Sequence, residues 1–235
     1  MVIEATGAPA HPRTPRLERA LDLIFPPSCV GCRRVGRWIC EECWPKVPWM
    51  CGNVCLSCGS PAAGPWCGAC SRAASELDQL LVATRFEGIA REAVHALKFN
   101  GHHAISALMG RVMAGVAGEM EAEAVVALPL HPSRRHQRGY DQSALLARHL
   151  AHTLHFPLES HVLRRTRRTE QQASLDREHR QANVAGAFAV NAPLEAETVL
   201  LVDDVVTTGA TMSEAGCALK EAGVERVVGL AFAQD

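Results

Sequence analysis

The chain has 235 residues, 48% hydrophobic and 5% aromatic, with a formal net charge of -1. That composition excludes wholesale disorder and fibrous repeats and frames the protein as one large domain, or a small one ahead of a medium one. The charge excludes a generally basic protein that coats nucleic acid.

Residues 1–28 read as a tail rich in Ala, Pro, Thr and Arg that runs into a short amphipathic stretch, 17–25, stopped by Pro26 and Pro27. The tail has no apolar run to serve as a signal core, and no later stretch is long enough to cross a bilayer. The expectation is a cytoplasmic protein with no membrane insertion. Residues 29–75 come next, and hold nine of the ten cysteines. They are rich in Gly, Pro and Trp and too poor in apolar runs to build a core of their own. Residues 77–235 alternate strand-like and helix-like segments, the pattern of an α/β domain with a mainly parallel sheet flanked by helices. The predicted order is a strand at 80–86, helices at 89–99 and 105–120, and a buried strand at 124–130 closed by Pro129 and Pro132. A helix at 141–154 capped by Asp141 follows, then a long polar, arginine-rich loop at 164–182. A strand at 199–202, a helix at 211–222 ended by Gly223 and a strand at 227–232 complete the domain.

The cysteines form four C-x-x-C pairs: Cys29 and Cys32, Cys40 and Cys43, Cys55 and Cys58, Cys67 and Cys70. Each C-x-x-C turn points two thiolates at one centre, and two turns complete a tetrahedral shell, so the spacing predicts two structural Zn2+ sites. A redox role would call for one pair beside a βαβ unit, not four in tandem. Either the first four and last four cysteines each form a site, or the pairs interleave. Two such sites would carry about -2 each and bring the chain to about -5. Cys51 and Cys217 are left over. Without an export signal, the cysteines are expected to be reduced or metal-bound.

The most informative stretch runs from residue 199 to 211. An apolar strand delivers Asp203 and Asp204 at its carboxyl end, where open α/β sheets bind ligands. Thr207, Thr208, Gly209, Ala210 and Thr211 then open a helix. Backbone N–H groups at a helix start, joined by threonine hydroxyls, suit a phosphate dianion. Carboxylates beside a phosphate are repelled unless they serve another group, and sugar hydroxyls fill that need. The pattern describes a ribose phosphate.

This stretch resembles the 5-phosphoribosyl-1-pyrophosphate (PRPP) signature of type I phosphoribosyltransferases. With the cysteine pairs ahead of it, the chain is similar to the ComF competence-protein family, a double zinc ribbon joined to a phosphoribosyltransferase-like domain. The matching segments are Phe25-Pro26-Pro27, Leu97-Lys98-Phe99, Leu128-Pro129-Leu130, Arg138-Gly139-Tyr140-Asp141-Gln142, and residues 172–183 with Phe188. Tyr140-Asp141 departs from the usual Phe-Asn; an acidic residue there weakens anion binding unless it only caps the helix. By the resemblance, Asp203 and Asp204 hold the ribose hydroxyls and Thr207 to Thr211 the 5-phosphate. The loop 130–140 takes the place of the pyrophosphate loop, with Arg138 as an anion contact, Arg134 and Arg135 as anion contacts or solvated surface arginines, and Gly139 allowing close backbone approach. Lys98 reaches the same anion or is a plain surface lysine. Arg164, Arg165, Arg167, Arg168, Arg177 and Arg180 either cover the site, bind a nucleic-acid backbone or are solvated. His102, His103, His131 and His136 read as polar loop residues.

The resemblance implies displacement of pyrophosphate from C1 of PRPP with Mg2+, catalysed by positioning and electrostatics, with Asp203, Asp204 and Arg138 as the central residues. No pocket for an acceptor base is legible. The second reading, from a different class, is a non-catalytic accessory factor in DNA uptake that binds single-stranded DNA and takes PRPP as a regulatory ligand. Trp38, Trp44, Trp49 and Trp66 either stack on bases or fill a small domain that lacks a core.

Overall fold

The longest apolar runs of the sequence form the middle of a parallel sheet in the computed structural model. The structure describes residues 26–50, 54–55, 60–62, 67–68, 76–99, 101–167 and 184–235. The expectations for 17–25, Cys51, Cys58, Cys70, Trp66, Arg168, Arg177, Arg180 and residues 172–183 lie outside these. Strands β1 (Gln79–Arg85), β2 (Ala124–Ala127), β5 (Thr198–Val206) and β6 (Arg226–Gln234) pair in the order β1-β6-β5-β2, all parallel. The two central strands, β5 and β6, are covered on both faces. This is why they read as near-continuous apolar runs and not as alternation.

Alternate side chains of β5 serve different layers. Leu200 and Val202 face the cluster built on α1 (Gly88–Phe99), α2 (Ile105–Ala117) and α4 (Gln142–Leu154). Val199 and Leu201 face α5 (Ala210–Glu221) and a short antiparallel hairpin of β3 (Leu163–Arg165) and β4 (Phe188–Val190). The predicted loop 164–182 thus begins as a strand. Helix α2 stops three residues early, at Ala117, because Gly118 follows at φ 61° and ends the turn. Among the described residues no helix is long and apolar enough to cross a membrane.

Helices α2 and α4 pack closely at Gly110, where an added Cβ would lie 2.7 Å from Cβ of His149 and 3.3 Å from the Leu146 carbonyl. Gly110→Ala is therefore expected to destabilise the fold by about 1–3 kcal/mol, the usual cost of forcing a group into a packed contact. Thermal unfolding would show it, and an unchanged midpoint would contradict the close packing.

The cysteine-rich zone does not stand apart. Val30, Ile39, Trp44 and Val47 join the same buried cluster as Ala90, Ala93, Val94 and Leu97 of α1. Trp49 bridges to Thr84 of β1, and the Met50 N–H donates to the Ala83 carbonyl at 2.9 Å. Trp44 packs on Trp49 with ring centroids 4.8 Å apart, and Trp38 lies 5.1 Å from His102. These three tryptophans fill the seam between the two parts of the chain.

Candidate functional site

The first four cysteines converge. The sulfur atoms of Cys29, Cys32, Cys40 and Cys43 all lie within 4.8 Å of one another, and Cys32 Sγ is 3.5 Å from Cys40 Sγ. A tetrahedral zinc with Zn–S near 2.3 Å would place its sulfurs about 3.8 Å apart, so the cluster fits the ion. Burial pushes the Cys29 thiol up, but the backbone N–H groups of Cys32, Cys40 and Gly31 outweigh it and bring it down to about 6. The Cys29 thiolate is thus favoured, whereas burial and the neighbouring sulfurs push the Cys43 thiol up to about 12. The four come from consecutive pairs, which for this site decides between sequential and interleaved pairing. Of the second set, Cys55 is buried and Cys67 half-buried, with Cys58 and Cys70 outside the described residues.

The second centre lies at the carboxyl end of the sheet. Strand β5 is longer than its apolar run: Asp203 and Val205 pair with Ala231 and Ala233 of β6, so both aspartates sit on the strand, not in the turn after it. Backbone pairing is indifferent to side-chain polarity, which is why hydropathy ended the strand too soon. Asp204 is 4% exposed, and its Oδ2 lies 3.0 Å from Lys98 Nζ at the end of α1. Asp203 Oδ1 accepts the Ser143 hydroxyl at 2.7 Å and the Asp204 N–H at 2.8 Å. Burial raises the Asp203 carboxyl to about 7, helped by the neighbouring Asp204 charge and opposed by Ser143 and Lys98. A buried and a half-buried carboxylate at successive positions, with one lysine paired to Asp204, leave negative charge for a cation or hydroxyl donors to satisfy.

Asp203, Asp204, Thr207 and Thr211 line one side of a cavity of about 760 Å³. Lys98, Arg134, Arg138 and Arg165 line it too, so carboxylates and cations share one space. The start of α5 has Gly209 at φ 73° as its cap, with no side chain there to cap the helix, and Thr207 and Thr211 on either side of it line the cavity. Thr208 reaches the Ala210 N–H only at 3.5 Å.

The predicted pyrophosphate loop contains a short helix, α3 (Pro132–Arg138). Pro132 sits at its first position, the His131 side chain accepts the Ser133 N–H at 3.2 Å, and Gly139 closes it at φ 80°. The helix divides its arginines. Arg134 and Arg138 face the cavity just described, whereas Arg135 and Gly139 lie on a neighbouring one with Arg164. Arg138 is steadied by the Phe99 ring, 5.3 Å from its guanidinium carbon. Arg167 donates to the Ala185 carbonyl at 2.7 Å.

The unusual Tyr140-Asp141 pair has a local explanation. The Tyr140 hydroxyl donates to the Leu97 carbonyl, tying the end of α3 to the helix that carries Lys98. Asp141 accepts the Ala144 N–H at 3.2 Å as the cap of α4 and the Leu130 N–H at 2.9 Å. Both of its oxygens serve the backbone, and burial raises its carboxyl. Ser143, which positions Asp203, is not among the candidate residues of the sequence, and Gln142 stands there only as the end of a matching segment. Gln142 is 2% exposed, lines the cavity, and has an Oε1 without a hydrogen-bond partner among the described residues. For Ser143 the sequence signal is its place in the first turn of a capped helix.

Two domain families match this chain. Residues 20–73 match the double zinc ribbon domain and residues 141–234 the phosphoribosyl transferase domain. The DNA utilization protein YhgH of Escherichia coli (strain K12) is 30% identical over 205 residues, 82% of this chain and 90% of that protein. Competence protein F of Haemophilus influenzae is 27% identical, covering 85% of this chain and 93% of that protein. Competence protein ComFC of Bacillus subtilis is 26% identical, covering 79% of each. With both domains matched in the same order and a relative aligned over nearly its whole length, the chain belongs to the ComF family, which joins a double zinc ribbon to a phosphoribosyltransferase domain.

Proposed function

We propose that this protein binds PRPP with Mg2+ in the cavity at the end of β5 and transfers its phosphoribosyl group to an acceptor, releasing pyrophosphate, in the service of DNA uptake. The observation that carries the reading is the acidic pair Asp203 and Asp204 beside a phosphate-suited helix start and an arginine-lined wall. Asp203 and Asp204 hold the ribose hydroxyls, Thr207 to Thr211 take the 5-phosphate, and Arg134, Arg138 and Arg165 meet the pyrophosphate. Mg2+, bound with PRPP beside Asp203 and Asp204, would neutralise part of the pyrophosphate charge.

As the bond from C1 to the pyrophosphate oxygen breaks, positive charge grows on the ribose and negative charge on the leaving group. The carboxylates stabilise the first and the arginines the second, so catalysis is positioning and electrostatics without a nucleophilic side chain. Lys98 balances Asp204 and lines the same cavity as Arg134, Arg138 and Arg165, where it meets the leaving group. The DNA setting is supported by the relatives named for competence and DNA utilization. A thiolate-rich zinc site supports a reducing, cytoplasmic compartment.

Pyrophosphate release from PRPP and Mg2+, measured over a panel of nucleobases and related acceptors, tests the reading. Acceptor-dependent release, saturable in PRPP, is expected. Tight PRPP binding with no release from any acceptor would make PRPP a regulatory ligand, and no binding would overturn the assignment.

A further inference from the structure

Three consecutive residues at the end of α1 each hold a different part of the PRPP cavity. The Leu97 carbonyl accepts the Tyr140 hydroxyl, just past the end of α3. Lys98 Nζ lies 3.0 Å from Asp204 Oδ2 on β5. The Phe99 ring sits 5.3 Å from the guanidinium carbon of Arg138. One helical turn thus meets α3, the acidic pair and the arginine wall, and Lys98 is the member of it that carries charge.

The pair that Lys98 makes is buried, with side chains 19% and 5% exposed. Asp204 Oδ2 has no hydrogen-bond partner among the described residues, so the contact with Lys98 is one of charge. A buried ion pair without further hydrogen bonds stabilises a fold little, because desolvation offsets the attraction. Oδ2 is also closed off from solvent, so a cation or hydroxyl that is to meet it has to displace the ammonium. Burial holds Asp203 half-protonated at about 7, and Lys98 balances Asp204, which leaves the ligand-free acidic pair close to neutral. A divalent ion entering alone would stand beside a resident ammonium and be repelled by it. PRPP changes that balance. Its pyrophosphate offers a second anion in the cavity that Lys98 shares with Arg134, Arg138 and Arg165, and a lysine's flexible stem lets it change partner.

We propose that Lys98 is the resident counter-ion of the acidic pair: it keeps a free divalent cation out, and it leaves Asp204 only when PRPP brings a pyrophosphate to receive it. The inference rests on the reading that PRPP and Mg2+ meet Asp203 and Asp204, and adds an order to it. The metal enters with PRPP and not before. The same lysine then counts twice, first against premature metal binding and afterwards as a partner of the leaving group. Charge stays paired throughout, since the ammonium moves to the pyrophosphate as the acidic pair gains its new partners.

The test is titration of Mn2+, a paramagnetic stand-in for Mg2+, into the zinc-loaded full-length chain, with free Mn2+ read by electron paramagnetic resonance at about pH 8, above the Asp203 value. Without PRPP, Lys98→Met is expected to bind Mn2+ at least ~10-fold more tightly than the wild type. Lys98→Gln, neutral but still able to hydrogen-bond Asp204, should show the same gain should the methionine variant fold poorly. Lys98→Arg keeps the charge and should bind as weakly as the wild type. The gain should vanish when Asp203→Asn/Asp204→Asn is added, which assigns the metal to the acidic pair. Structural damage would weaken metal binding, so a gain separates the counter-ion role from a merely structural one. Calorimetry without added divalent metal should find PRPP bound ~10-fold more weakly by both neutral variants, the mark of an ammonium that meets the pyrophosphate. Equal Mn2+ affinity in the wild type and both neutral variants would overturn the proposal. So would a wild-type chain that holds Mn2+ at the acidic pair without PRPP as tightly as it holds the Mn2+ complex of PRPP. Unchanged metal-free PRPP affinity in the neutral variants would overturn the transfer of Lys98 to the pyrophosphate. In each of these the PRPP reading stands; a wild-type chain that binds no PRPP with or without metal would remove that reading itself.

Discussion

Replacing Asp203 and Asp204 together with asparagine is expected to weaken PRPP and Mg2+ binding by ~10²- to 10⁴-fold while leaving the fold intact. Two hydrogen bonds to charged acceptors contribute about 1.5–3 kcal/mol each, and the wider loss follows from their sum. Stability should hold, because the change removes repulsion between adjacent carboxylates at the same time as it removes the Lys98 partner. Calorimetry and thermal unfolding read the two quantities separately. Undiminished PRPP affinity would remove the acidic pair from the site, and unfolding would make it structural.

The same pair sets a pH dependence. Asp203 titrates near 7 in the folded chain, mainly through burial and then through Asp204, against about 3.9 when unfolded. Between those values the folded state holds a proton that the unfolded state has lost. Stability without ligand therefore falls as pH rises through about 4 to 7 and levels off above. Ligand binding runs the other way: it needs the carboxylate, so affinity rises through about 7 and binding releases protons. Asp203→Asn should flatten both slopes, which titrations in buffers of different ionisation enthalpy would reveal.

Cys40→Ser, or zinc removal by a chelator, is expected to unfold the ribbon and lower the stability of the whole chain. A structural zinc of this type supplies about 10–16 kcal/mol in small peptides, comparable to the entire stability of a domain. Here the loss would spread, since Val30, Ile39 and Trp44 share a buried cluster with α1, the helix that carries Lys98. Red-shifted tryptophan emission and a lower unfolding midpoint are the expected signs. Both unchanged, or metal analysis well below two zinc per chain, would contradict the double ribbon.

Much of this site could be read in advance because its chemistry is local. C-x-x-C turns and a strand followed by a hydroxyl-rich helix start depend on neighbours in sequence, so cysteine spacing and the 199–211 stretch pointed to zinc and phosphate directly. Asp141 as a helix cap was likewise a matter of a few residues. The lengths of β5 and α3 were less legible. β5 continues past its apolar run because backbone pairing with β6 carries the aspartates, and α3 forms where proline, histidine cap and glycine outweigh the absence of an apolar face.

The sequence by itself determined the family, the order of the two parts and the residue types of the proposed phosphate site, since each is written in contiguous spacing. Only the tertiary structure decided that Lys98 meets Asp204, that Ser143 holds Asp203, and that the arginines of α3 divide between two cavities. Those pairings join residues dozens of positions apart or depend on which helix face meets the sheet. Packing sets both, and no local propensity encodes either.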